Sequence, residues 1–181
     1  MIETERLLLR QPKLEDLDRW AELMASEDAA RYIGGVQPKS VVWRSMMSIA
    51  GSWQLTGAGM FSVVDKASGL WIGRVGPWQP YGWPGTEVGW SLHPDAWGRG
   101  YALEAARATM DYAVDTLGWT DIIHSIHPDN APSQRLAERL GSVNRGPGRL
   151  PPPYESDHVD IWGQTSDEWR HNRTNLTTIS R

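Results

Sequence analysis

The stretch EVGWSLHPDAWGRGYALEA, residues 87–105, decides the fold. Its first six residues alternate as a strand does, and an apolar stripe at helical spacing follows the turn. A glycine-rich turn between a strand and a helix leaves several backbone N–H groups unpaired, next to the positive end of the helix dipole. Gly98 and Gly100 let an anion approach closely, although a tight helix entry favours glycine without any ligand too. The stretch therefore predicts a strand, a turn suited to a phosphate, and a helix.

Two common phosphate-binding motifs do not match this turn. No Gly-Lys-Ser/Thr follows it, which excludes a Walker loop. Leu103 occupies the place of the third glycine, which excludes the dinucleotide fingerprint.

Apolar periodicity predicts the remaining elements. Strands first pair as hairpins and later alternate with helices, which is typical of one α/β (α+β) domain with a mixed, mostly antiparallel sheet flanked by helices. We expect residues 1–169 to form this single domain and residues 170–181 to be a flexible tail. Residues 76–85 and 146–153 are predicted to be loops rich in proline and glycine. The predicted strands are 4–10, 61–64, 70–75, 87–92, 121–126 and 158–164, and the predicted helices begin near residues 14, 39, 101 and 131.

Composition narrows the function classes. A chain of 181 residues with 40% hydrophobic and 22% charged residues is typical of a globular domain. A net charge of −4 argues against a nucleic-acid partner and mildly suits a cationic or amine substrate. The absence of cysteine excludes thiolate zinc sites and a cysteine acyl-enzyme, and no carboxylate or histidine pair has metal-ligand spacing, so no metal is expected. No stretch suggests a signal peptide or a membrane span, which favours a cytoplasmic protein without a membrane partner.

A second motif, HPDNAPSQRLAERLG at residues 127–141, completes a recognisable pattern. Together the two stretches resemble the GNAT superfamily of N-acetyltransferases, and most closely its Rim-type branch of ribosomal-protein N-terminal acetyltransferases. The resemblance extends from Glu3 to Trp169. It implies a GNAT-like fold in which a splayed strand pair holds acyl-CoA, and an acyltransferase that uses acetyl-CoA as co-substrate.

The resemblance also implies cofactor-binding residues. Backbone N–H groups of the glycine turn would bind the pyrophosphate, and the end of the preceding strand would pair with pantetheine. Trp97 stands where the general family pattern has glutamine or arginine, whereas Rim-type members often have an aromatic residue there. Asn130 would contact pantetheine near the thiol, or serve only as a helix N-cap. The implied set is Leu92, His93, Trp97, Gly98, Arg99, Gly100, Tyr101, Ala102, Asn130 and Ser133.

Two residues are candidates for catalysis by direct attack of an amine in a ternary complex. Glu87 is the candidate general base, through a water molecule, and otherwise a solvated or salt-bridged strand glutamate. Ser133 would protonate the departing CoA thiolate, since Ala137 stands where many members have a tyrosine, or be only a serine in the first turn of the helix. A backbone N–H near Ser91 or Leu92 would meet the developing oxyanion. Other candidate bases are His93, which lies before a proline, and then the weaker His158 and Glu155.

Eleven tryptophans suggest an aromatic pocket for the acceptor. The resemblance places five aromatic residues on that side, although packing or a homodimer contact would explain them equally. A pocket rimmed by bulky rings favours a small-molecule amine over a protein N-terminus. Two other classes stay open: an acyl-CoA sensor without turnover, and an interaction protein with a tryptophan-rich surface. The five predicted acceptor residues are Trp43, Trp53, Trp78, Tyr81 and Trp83.

Overall fold

A computed structural model describes residues 1–178, with the side chains of residues 1–174. An eight-stranded sheet runs through the molecule in the order β1-β2-β3-β4-β5-β6-β8-β7. All neighbouring strands are antiparallel except β5 and β6. The strands are β1 (Ile2–Glu3), β2 (Leu7–Arg10), β3 (Phe61–Asp65), β4 (Trp71–Trp78), β5 (Glu87–Leu92), β6 (Asp121–Ile126), β7 (Val143–Gly148) and β8 (Val159–Thr165).

Helices flank the sheet and cover two large apolar clusters, beside a third small one formed by Ile126, Ala137 and Trp162. One cluster, which includes Val88, Leu92 and Met110, lies between the sheet and the helix after the glycine turn. The other, which includes Trp20 and Met46, lies under the N-terminal helices. The helices are α1 (Leu17–Ala25), α2 (Glu27–Ala30), α3 (Lys39–Thr56), α4 (Tyr101–Asp111), α5 (Ala131–Leu140) and α6 (Ser166–Thr178). The predicted single domain with a mixed, mostly antiparallel sheet flanked by helices is confirmed.

The parallel pair β5–β6 opens after its first residues. The one register pair between them is Glu87 with Ile123, and the Ile123 N–H donates to the Thr86 carbonyl at 2.9 Å. By contrast, β6 and β8 stay paired over six residues. The strands therefore part beyond Glu87 and leave a gap at their carboxyl ends, as the predicted splayed pair requires.

Three segments differ from the prediction. Gly76–Trp78 belongs to β4 rather than to the predicted loop, because each residue there pairs with β5. Val143–Gly148 forms β7 across the start of the second predicted loop; it is an edge strand, where Pro147 is tolerated because it need not donate to a further neighbour. Residues 170–178 of the predicted tail continue helix α6, whereas residues 179–181 lie outside the described part of the chain. The flexibility of the tail stays a prediction.

Candidate active site

The glycine turn has the geometry that an anion site requires. Gly98 and Gly100 have φ angles of 71° and 78°, in the left-handed region that side chains disfavour. Gly100 is the N-cap of α4, so the first N–H groups of that helix point out of the turn without helical partners. A Cβ at Gly98 would meet no atom within 4 Å, so the turn is open on that side. Backbone donors and an open approach are what a pyrophosphate needs.

A groove of about 730 Å³ leads from this turn toward the gap between β5 and β6. We call it the turn groove. Two exposed arginines of α5, Arg135 and Arg139, add positive charge to its wall. The groove brings together eight of the predicted cofactor-binding residues: Leu92, Trp97, Gly98, Gly100, Tyr101, Ala102, Asn130 and Ser133.

The other two predicted cofactor residues do not line this groove. Arg99 contributes its carbonyl to the Arg6 guanidinium at 2.8 Å and stacks its own guanidinium on the Tyr101 ring. His93 is buried, and its Nε2 lies 3.5 Å from Glu22. Because His93 lines neither this groove nor the cavity described next, the structure does not support it as a general base.

A second space of about 470 Å³, the Glu87 cavity, lies on the opposite side of the gap. Its lining includes Glu87, Gly89 and Ser91, which share a strand face as predicted, while Val88 and Leu92 pack into the core beneath α4. Other lining residues come from neighbouring elements: Arg74, Trp78, Trp83, His124, Ser125, Tyr154 and His158.

Glu87 is buried at the base of this cavity with two hydrogen-bond donors. Its Oε2 accepts from Trp83 Nε1 at 2.6 Å and from Ser125 Oγ at 2.8 Å. Burial raises the pKa of Glu87, and these donors hold it lower than burial alone would. Gly89 matters here because a Cβ at that position would lie 3.2 Å from Glu87 Oε1. The alternative of a solvated or salt-bridged glutamate is wrong, since Glu87 is 7% exposed and no salt bridge to it occurs among the described residues.

The two spaces meet at the start of α5. Ser133 lines both, and its Oγ accepts from Trp90 Nε1 at 3.1 Å. Asn130 caps the helix by accepting from the Ser133 N–H at 3.2 Å, and it also lines both spaces. The N-cap interpretation of Asn130 is therefore confirmed, and the cap orients the residue that stands at the junction.

Alternate residues of β5 direct their backbone N–H and C=O groups into the gap between β5 and β6. The His93 N–H donates to the Ile72 carbonyl, and the register with β4 continues unbroken to Glu87, so Ser91 and Gly89 direct their backbone groups toward β4. Leu92 and Trp90 consequently direct theirs into the gap. The Leu92 carbonyl already accepts from Trp97 Nε1 at 2.8 Å, which leaves its N–H as a donor for an acyl oxygen.

His124 is a site residue that the sequence analysis missed. Its Nδ1–H donates to the Val88 carbonyl at 2.7 Å, and its Nε2 accepts from Ser142 Oγ at 3.0 Å. Burial lowers the pKa of His124 to about 4, so the ring is neutral at physiological pH. The side chain fills part of the gap between β5 and β6, and its hydrogen bond engages the Val88 carbonyl of β5. A histidine among the isoleucines of β6 was the available signal.

Of the five predicted acceptor aromatics, two line the Glu87 cavity and three do not. Trp78 and Trp83 line the Glu87 cavity and meet edge to face, with ring centroids 6.5 Å apart. Trp53 instead donates to the Met60 carbonyl and packs on Phe61 in the core. Trp43 and Tyr81 are exposed and line neither space. Of the weaker base candidates, His158 lines the cavity, whereas Glu155 does not.

Two negative findings concern the described residues. No cluster of three or more histidine, cysteine or acidic side chains among them is arranged to hold a metal ion. None of the helices in that part of the chain is both long and apolar enough to cross a membrane.

Comparisons with known proteins agree with this geometry. The family described as "Acetyltransferase (GNAT) domain" matches residues 6–143. An "Uncharacterized N-acetyltransferase p20" of Bacillus licheniformis is 31% identical over 147 residues, which cover 79% of this chain and 82% of the relative. The crystal structure of an acetyltransferase from Agrobacterium tumefaciens is 29% identical, with a TM-score of 0.78 over 90% of this chain and 92% of that one. A ribosomal-protein-S5-alanine acetyltransferase from Vibrio fischeri, 20% identical, shares the fold with a TM-score of 0.68 over 93% and 97% of the two chains.

The fold and the matched sequence define the class of protein, an acyltransferase enzyme. More narrowly, the chain belongs to the GNAT acetyltransferase family, and its activity is that of an N-acetyltransferase. Members of this family use acetyl-CoA as co-substrate.

Proposed function

We propose that this protein transfers an acetyl group from acetyl-CoA to a small-molecule amine by direct attack in a ternary complex. The observation that carries the proposal is the meeting of the two spaces at Ser133, with Glu87 buried in one and the glycine turn at the end of the other. A long donor on one side and a small acceptor on the other would meet at that junction. The proposal places the protein in the cytoplasm.

The hydrogen-bond donors and positive charges of the turn groove suit acetyl-CoA. The open N–H groups at residues 98–102 suit the pyrophosphate, and the arginines of α5 suit further phosphate charge. The parted β5 would pair its backbone with the pantetheine arm. When bound there, acetyl-CoA supplies a thioester carbonyl as the acyl donor.

The residues of the chain supply the proton transfers. Glu87 accepts the proton that the amine loses as its nitrogen bonds to the carbonyl carbon, through a water molecule in the cavity. The Leu92 N–H donates to the carbonyl oxygen as negative charge develops on it. As the carbon–sulfur bond breaks, the Ser133 hydroxyl gives its proton to the thiolate and takes one back from solvent, while Glu87 releases the amine proton to solvent. Trp90 Nε1 donates a hydrogen bond to Ser133 Oγ, and this bond stabilises the negative charge that the serine oxygen gains when it gives up its proton.

The cavity walls favour a small acceptor over a protein N-terminus. Trp78 and Trp83 stand edge to face on one side, and Tyr154 packs against Trp83 with ring centroids 6.2 Å apart. These rings narrow the space around Glu87 and suit a compact molecule with an apolar portion.

The test is a calorimetric titration of acetyl-CoA followed by a screen of amines for thiol release. We expect saturable binding, and release that depends on one class of amine. The variant Glu87→Gln separates binding from turnover: it should bind acetyl-CoA as the native protein does, while its turnover falls. Binding without release for any amine would favour an acyl-CoA sensor. Absence of binding would leave the glycine turn as a helix entry and favour an interaction protein.

A further inference from the structure

Arg74 is a charged residue of the Glu87 cavity for which the proposed mechanism has no role. It lies on β4 directly opposite Ser91 of β5, so its side chain shares the sheet face that carries Glu87. The guanidinium stacks on the Trp20 ring, 5.0 Å from its centroid. One side of the group is therefore held by α1, and the other lines the cavity.

The guanidinium has no anionic partner among the described residues. Its Nε is buried without any hydrogen-bond partner, and no carboxylate of the described chain lies within salt-bridge distance of the group. Burial lowers the pKa of Arg74 to about 10, so the group is still charged at neutral pH. Tyr154, another cavity residue, is the one described ionisable group close enough to influence that pKa.

Arg74 is partly buried, with its Nε fully so, and a desolvated, unpaired charge destabilises a folded protein unless something else compensates it. The cavity offers two carboxylates, but Glu87 is already engaged by Trp83 and Ser125, and Asp157 is exposed. Neither is near enough to alter the pKa of Arg74. A planar guanidinium facing a cavity is the group that proteins use to bind a carboxylate with two parallel hydrogen bonds.

We propose that Arg74 binds the carboxylate of the acceptor, and that the acceptor is a free α-amino acid or a closely related small amine that carries a carboxylate. This inference rests on the proposed function and narrows its substrate class. It separates a free amino acid from a protein N-terminus, because the first residue of a protein chain has an amide where the free amino acid has its carboxylate.

The position of Arg74 fits the short distance between the two groups of an α-amino acid. Ser91, its partner across the strands, lines both the cavity and the turn groove. An acceptor held by Arg74 beside Ser91 would thus present its amine near the junction of the two spaces. Glu87 shares this cavity and this face of β5, so the amine and the base open into the same space.

The substrate test compares matched pairs. Free amino acids with apolar or aromatic side chains are assayed beside their carboxamides, which keep the amine and the side chain but lose the negative charge. We expect kcat/KM for the acids to exceed that for the amides about 100-fold or more, because a charge-assisted bidentate pair in a buried site is lost with the amide. Equal or better use of the amides would overturn the inference and leave the proposed acetyl transfer intact.

Variants of Arg74 give the second arm. Arg74→Gln should raise KM for the acids, leave the amides within about 3-fold of the native enzyme, and so remove the preference. Arg74→Lys, which keeps the charge but not the planar fork, should restore part of it. Because the guanidinium has no anionic partner among the described residues, Arg74→Gln should also melt at the same temperature as the native protein or higher in the absence of ligand. A preference that persists in Arg74→Gln overturns the inference.

A binding measurement covers the case in which no amine is turned over. Tryptophan fluorescence, to which Trp20 beside Arg74 and the tryptophans of the cavity wall contribute, follows titration with an N-acetylated amino acid and with its carboxamide. We expect the acid to bind at least 10-fold more tightly, and the difference to vanish in Arg74→Gln. Equal binding of both overturns the inference, whereas failure of acetyl-CoA to bind would instead remove the proposed function.

Discussion

At the scale of single residues, the environment of Glu87 explains how a carboxylate can serve as a base here. Burial opposes its charged form, while Trp83 and Ser125 each donate to it and favour that form. A base whose pKa is raised toward neutrality accepts a proton more readily than an exposed glutamate does. The sequence predicted Glu87 from its strand position, but the donors come from a loop and a different strand, so only the folded chain reveals them.

Removing the Trp83 indole should shift the pH profile of the enzyme upward. The rate rises with pH as Glu87 loses its proton, with a midpoint above the ordinary glutamate value because its pKa is raised. Trp83→Phe removes a hydrogen bond that lowers this pKa, so the midpoint of kcat/KM should move to still higher pH. The same amine is used for both proteins, so its own titration cancels. An unchanged or lowered midpoint would argue against Glu87 as the base.

Loss of the base itself should be more severe. Glu87→Gln should lower kcat by about 10²–10⁴-fold, the usual contribution of a general base, while acetyl-CoA affinity stays the same. Steady-state kinetics and calorimetry on the same sample measure the two quantities. A fall in affinity equal to the fall in rate would place Glu87 in donor binding instead.

His124 should make stability depend on pH in a defined window. The folded protein holds the pKa of His124 near 4, whereas the unfolded chain has the ordinary value of 6.5. Between these values the unfolded state binds more protons, so the free energy of unfolding decreases as pH falls from about 6.5 to 4. The full effect is about 3 kcal/mol.

The check is denaturant unfolding at about pH 7 and pH 4.5, within that window. His124→Asn, whose amide can still donate to the Val88 carbonyl, should show a flatter difference between the two pH values than the native protein. If both proteins lose the same stability on acidification, another group is responsible.

At the scale of elements, the turn groove is built by two helix N-termini that face each other across the parted strands. The α4 end contributes backbone donors, and the α5 end contributes Asn130 and Ser133. Both ends were predictable, because the glycine turn and the Pro-Asp-Asn entry are local signals. The edge strand β7 was not, because Pro147 between two glycines resembles a loop and only its pairing with β8 makes it a strand.

The arginines of α5 should contribute to donor affinity through charge. Arg135→Gln and Arg139→Gln should each raise the Kd of acetyl-CoA several-fold at low salt, and less at high salt, because screening weakens exposed charges. Turnover with acetyl-pantetheine, which lacks the phosphates, should not change. Arg44→Gln on α3, which lines neither space, is the control. Equal effects on both donors would mean that these arginines act on the fold.

At the scale of the whole molecule, hydrogen bonds connect the C-terminal helix to the catalytic strand. Asn172 donates to Gln164 at 3.1 Å, and Gln164 donates to Ser142 at 2.9 Å. Ser142 bonds to His124, which donates to the Val88 carbonyl of β5. The polar sequence beyond Trp169 predicted a tail outside the domain. It could not show this path, because the links beyond Gln164 join residues 18 to 36 positions apart in the chain.

Trp169, Asn172 and Arg173 of α6 contact the rest of the domain. Trp169 is fully buried and donates to Asp111 at 3.0 Å, and Arg173 reaches the same carboxylate at 2.8 Å. A tryptophan in a sequence that otherwise favours solvent was the one signal that this segment docks. The predicted boundary at residue 169 therefore divides a helix that the structure shows as continuous.

Truncation after Trp169 should measure what this helix contributes. The shortened chain leaves Oε1 of the buried Gln164 without its Asn172 donor, and an unpaired buried acceptor costs about 1–3 kcal/mol. The urea midpoint should fall accordingly, with the slope little changed. A chain that ends at Thr178 is the matched control and should unfold as the full chain does. Asn172→Ala should reproduce part of the loss, because it breaks the first link of the path to β5. Equal midpoints for the chains ending at Trp169 and Thr178 would instead support a tail that is independent of the domain.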